Sequence, residues 1–72
     1  MIAGNINYRQ AMILQRFKEE PNTIMTVKDV QEQFSVSSMT ARKDLSDLVQ
    51  QGYLTEIALN KVTRGYIKMQ EG

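Results

Sequence analysis

Three residues, Ser35-Val36-Ser37, separate two stretches whose apolar side chains recur at helical spacing. Before them, "VKDVQEQF" places Val27, Val30 and Phe34 on one side of a helix. After them, "SMTARKDLSDLVQ" lines up Ala41, Leu45 and Leu48, with Val49 beside the stripe. Ser35 and Ser37 suit a tight turn or a cap, because a serine hydroxyl competes for nearby backbone groups. Val36 can drop inward and set the angle between the two helices. Gly52 suits the left-handed residue that closes the second one. A helix, a short turn and a helix over residues 27–50 constrain the fold more than any other feature.

The flanking residues supply the other elements. "NYRQAMILQRFKEE" predicts a first helix over about 7–20, with Met12, Ile13, Leu14 and Phe17 as its apolar side. Arg9, Arg16, Glu19 and Glu20 are expected to face water. Asn5 or Asn7 can cap this helix, and Pro21 ends it by restricting the residue before it. "TIMT" suits only a single short edge strand. Thr26 then caps the next helix, with Asp29 three residues on as a partial capping box. Beyond Gly52, "YLTEI" and "GYIKM" have strand composition and are joined by "ALNKVTR". Asn60-Lys61 is the expected hairpin apex, and Gly65 permits a bulge or a close approach. The outline is an α+β fold in one domain, 1–72: helices over about 7–20, 27–34 and 38–50, then a hairpin over about 53–69.

Composition narrows the function. The chain has 72 residues, with no cysteine and no histidine. A domain of this size buries only about 60% of its unfolded surface and leaves little room for a deep cleft. Without cysteine there is no disulfide framework and no thiolate metal site. Without histidine the usual general base is missing. No catalytic residue, metal site or cofactor is therefore expected, and the chain is not expected to be an enzyme. Neither a membrane span nor a signal peptide is legible, so a cytoplasmic address is the default. Net charge is only +1, but residues 35–68 carry five bases against three acids. That excess flanks two candidate contact elements.

On the third helix, Ser38, Met39, Arg42, Lys43 and Ser46 lie away from the buried stripe. Small hydroxyls let a helix start approach a duplex closely and donate to base edges or phosphates. Free N–H groups there favour an anion. Arg42 can fork onto guanine, and Lys43 can reach guanine or a phosphate. Met39 either touches a thymine methyl or tucks under the hairpin as core. Ser37 and Ser38 also serve as caps, and Thr40 can satisfy local backbone alone. Asp44 and Asp47 read as orienting groups that hold Arg42 or Lys43. Lys61, Thr63 and Arg64 place a second contact on the hairpin, for the backbone or an adjacent minor groove. Tyr53 and Tyr66 read as half-buried rings with wet hydroxyls.

"TVKDVQEQFSVSSMTARKDLSDLVQQGYL" resembles the helix-turn-helix of winged-helix bacterial regulators of the DeoR type. The matching residues are Val36, Ser37, Thr40, Arg42, Lys43, Asp44, Leu45, Leu48 and Gly52. The resemblance implies a winged helix-turn-helix: a three-helix core followed by a β-hairpin wing. It implies double-stranded DNA as partner, with helix 38–50 in the major groove and the 57–65 wing on the backbone or minor groove. Carried over, Ser38, Met39 and Arg42 face bases, while Ser37, Thr40 and Lys43 face phosphates. "NYRQAMILQRF" and "TRGYIKM" also look like the C-terminal winged-helix domain of some Fic-family proteins. That second resemblance implies an alternative, a protein-interaction or docking module beside a nucleotidyltransferase domain. Useful affinity for DNA from so few cations calls for a homodimer on a two-fold site or fusion to a larger body, such as a flanking catalytic domain.

Overall fold

A computed structural model describes residues 6–69 of the chain. Helices α1, α2 and α3 span Tyr8–Glu19, Val27–Phe34 and Ser38–Gln50. Strands β1, β2 and β3 span Met25–Thr26, Leu54–Ala58 and Arg64–Lys68. The expected α+β outline is present, and Asn7 and Glu20 are caps rather than helical residues of α1. The alternative cap, Asn5, lies outside the described residues.

Local chemistry accounts for each helix boundary. At α1, Asn7 Oδ1 accepts from the Gln10 backbone N–H, and Gln10 Oε1 accepts from the Asn7 N–H, both at 2.8 Å. At α2, Thr26 and Asp29 exchange the same pair of bonds, so aspartate does here what glutamate or glutamine usually does. α2 ends on Ser35, held in the left-handed region at φ 57°. Val36 N–H then reaches back to Gln31 O at 3.3 Å. That turn swings Val36 against the core, as expected of it. α3 ends on Gly52 at φ 88°. Its N–H donates to Val49 O at 3.0 Å, and Tyr53 N–H donates to Leu48 O at 2.9 Å. These are the two bonds of a Schellman closure.

The strands form one antiparallel sheet in the order β1-β3-β2. β1 is the short edge strand suggested by "TIMT", and it sets Met25 opposite Tyr66. Pairing of β2 with β3 runs unbroken from Leu54↔Lys68 to Ala58↔Arg64, so Gly65 makes no bulge. It serves the close approach instead. A Cβ at position 65 would stand 2.8 Å from Ile24 Cγ2 and 3.1 Å from Leu59 Cδ1. Asn60 builds the hairpin turn, its Oδ1 accepting from the N–H groups of Val62 and Thr63 at 2.9 Å each.

The core joins Ile13 and Phe17 of α1, Met25 of β1, Val30 of α2, the Ala41-Leu45-Leu48 stripe, Leu54 and Tyr66. Each fully buried leucine, isoleucine or phenylalanine contributes about 1.5–3 kcal/mol. Three expectations need correction. Met12 is exposed, so the apolar side of α1 is Ile13 and Phe17 with Leu14 half-buried. Arg9 does not face water freely, because it folds over Asp44 of α3. Tyr66 is only 4% exposed, and its hydroxyl donates to Glu56 at 3.1 Å. Among the described residues, no helix is long and apolar enough to cross a membrane.

Candidate nucleic-acid interface

α3 presents the outer face of its first two turns to solvent, opposite its inward stripe. Ser38, Met39, Arg42 and Lys43 are all exposed, while Ala41, Leu45 and Leu48 are fully buried. Met39 is 80% exposed, which removes the alternative that it packs under the hairpin. Ser37 is the N-cap: its Oγ accepts from Thr40 N–H at 3.2 Å and donates to Thr40 Oγ1 at 3.1 Å. No acid stands in the first turn, so nothing there offsets the positive end of the helix dipole.

The two cations of α3 point to different sides. Lys43 lies toward α1, beside Thr40 and Asp47 and within a concavity of about 570 Å³ that Asn7 and Arg9 also line. Its Nζ stands 3.6 Å from Asp47 Oδ2, an exposed pair in the weaker orientation with the base first. Asp47 stands beside Lys43, where an orienting carboxylate is expected. Arg42 lies toward the hairpin. It shares a groove of about 320 Å³ with Lys28 of α2 and with Glu56, Thr63, Arg64 and Tyr66. Among the described residues Arg42 makes no ion pair, whereas Arg64 Nη1 stands 3.5 Å from Glu56 Oε1. Burial, and then the bond to Glu56, raises the Tyr66 phenol above its ordinary range, with Arg42 and Arg64 pulling the other way. Lys61 is exposed at the hairpin tip, next to Val62 at 89% exposure.

Asp44 is a correction. It does not hold Arg42 or Lys43, since it is 3% exposed and turned toward α1. Arg9 Nε donates to its Oδ2 at 2.7 Å and Asn7 Nδ2 to its Oδ1 at 2.9 Å. The buried Gln10 amide donates to the Asp44 backbone carbonyl at 3.0 Å. The bond to Asp44 raises the Arg9 pKa further above its already high value. The cap of α1 and the middle of α3 are therefore one hydrogen-bonded unit, and it fixes the direction in which α3 points.

The structure thus gathers Arg42, Thr63 and Arg64 in one groove and sets Thr40 and Lys43 on the other flank of α3. Ser38 and Met39 lie at the exposed start of the helix, and Lys61 is exposed in the hairpin turn. Two charged contributors to the groove, Lys28 and Glu56, have no signature in the sequence. Lys28 is the second residue of α2, and only the packing of α2 on α3 brings it beside Arg42.

The profile of the DeoR-like helix-turn-helix domain family matches residues 9–58. No curated protein sequence matches the chain. Among solved structures, the chain superposes on the ferric uptake regulator from Francisella tularensis, determined with iron, at a TM-score of 0.78 and 14% identity. The match covers 100% of this chain and 58% of that one, so the chain spans little more than half of its structural neighbour.

Proposed function

The chain belongs to the DeoR-like helix-turn-helix domain family, and from that premise we propose that it docks on duplex DNA through the start of α3 and the hairpin. A DNA-binding module of a transcriptional regulator is what this family and fold provide. In the proposed complex α3 lies in the major groove with Ser38, Met39 and Arg42 toward base edges. Ser37, Thr40 and Lys43 lie toward phosphates, and Lys61, Thr63 and Arg64 meet the backbone or the adjacent minor groove.

The observation that carries this reading is the exposed outer face of the first two turns of α3, with Arg42 making no ion pair among the described residues and the helix locked from behind by its apolar stripe. A helix held this way can bring base-reading side chains to an edge without first ordering itself.

Titration of varied duplexes against ionic strength tests the proposal. Three to five phosphate contacts give a log–log salt slope of about −2.7 to −4.5. Lys43→Ala should weaken binding to all sequences alike and make the slope shallower by about 0.9. Arg42→Ala should cost about 1–3 kcal/mol on the preferred sequence and flatten the preference at one base pair. Both variants should keep the wild-type unfolding midpoint. Wild-type protein that shows no salt-sensitive affinity for any duplex would refute the proposal.

A further inference from the structure

We propose that Glu56 is an internal competitor for Arg64, an anion built into the DNA-facing groove that limits how strongly the wing grips a phosphate. The proposal rests on the docking described above. Glu56 stands directly opposite Tyr66 in the β2–β3 pairing, with Arg64 two residues earlier on β3 and Leu54 two residues earlier on β2. Alternation puts all four side chains on one face of the sheet. Leu54 and Tyr66 are buried there, so that face is the core side. Glu56 and Arg64 occupy it where the core gives way to the groove.

The carboxylate is held in place. Tyr66, anchored in the core, donates its hydroxyl to Glu56 Oε2 at 3.1 Å, while Oε1 faces Arg64 Nη1 at 3.5 Å. The groove brings Lys28, Arg42 and Arg64 together, and Glu56 is the acid among its lining residues. A phosphate entering it meets three cations and a fixed negative charge. It must take Arg64 from a partner that a buried ring keeps in position. A freely rotating surface carboxylate would simply turn away. Pinning makes the exchange part of every binding event, whatever the base sequence, so the residue acts on overall grip and not on base choice.

Glu56→Gln tests this, because glutamine keeps an acceptor for the Tyr66 hydroxyl and removes the charge. Affinity should rise up to about fivefold at low salt for specific and random duplexes alike, the factor matching an exposed ion pair of ordinary strength. The salt slope should steepen by up to about 0.9. In an Arg64→Gln background the same substitution should gain little, since the coupling runs through Arg64. Wild-type protein that binds no duplex overturns the docking and this proposal together. Wild-type binding with unchanged or weaker affinity in Glu56→Gln overturns this proposal alone, as does a gain that survives Arg64→Gln. An unfolding midpoint close to wild type in Glu56→Gln assigns any gain to the charge.

Discussion

Tyr66 carries two jobs that its neighbours force on it. Its ring fills the core on the inner face of the sheet, and its hydroxyl fixes Glu56. Burial favours the neutral phenol, so the folded state holds its proton at a pH where the unfolded chain, near 10.0, has begun to release it. A raised folded pKa contributes stability that is fully present below pH 10 and is lost as the pH climbs through the folded value. Denaturant titrations from pH 8 to pH 11 should therefore show declining stability, and Tyr66→Phe should decline less steeply. Ser35 makes a second residue-scale case. It is the non-glycine residue at positive φ among those described, and the left-handed region costs an L-residue about 1–2 kcal/mol. Ser35→Gly should raise stability by up to about 1 kcal/mol in thermal unfolding, less the added freedom of the unfolded glycine. At Gly52 a Cβ meets nothing within 4 Å, so the loss of about 1 kcal/mol expected from Gly52→Ala comes from φ alone.

At the scale of elements, α3 depends on a polar contact with α1 as much as on its apolar stripe. Removing Arg9 leaves the Asp44 carboxylate buried with only neutral donors, and a buried charge without its counter-ion destabilises more than the absence of both. Arg9→Leu should lower the midpoint, and Arg9→Leu with Asp44→Leu should recover part of the loss; equal midpoints would count against the ion pair's role. The helix boundaries were legible because caps and apolar spacing are local chemistry. Asn7, Thr26, Ser37 and Gly52 all act where the pattern placed them. The Arg9–Asp44 pair has no local signature, because its partners stand 35 residues apart. A sign of it was nonetheless present. Asp44 lies three residues after Ala41 and four before Leu48, on the buried stripe itself, and Gln10 stands three residues before Ile13 and seven before Phe17, on the stripe of α1. Polar residues on two apolar stripes point to helices that meet there. Glu56 gave no comparable sign, since strand alternation names its face but not where the core ends. The stretches behind the Fic-type resemblance fall on α1 and β3, elements that any winged helix contains.

For the molecule as a whole, a small core makes every large side chain count. Leu45 is fully buried between the helices, and Leu45→Ala should cost about 2–5 kcal/mol, a large share of the 5–15 kcal/mol that holds a typical domain folded. Duplex binding by that variant would fail for lack of a folded partner, so circular dichroism should accompany it. The link between α3 and β2 has a larger consequence. Only Gln51, Gly52 and Tyr53 separate the helix from the strand, and the Schellman bonds take up two of their N–H groups. On the docking proposed above, the gap between base-reading turn and wing is thus a preset length, like the jaws of a calliper locked by a screw. A duplex that is too wide or too narrow between those two points must bend or twist to satisfy both. Its sequence then matters through stiffness at base pairs the protein never touches.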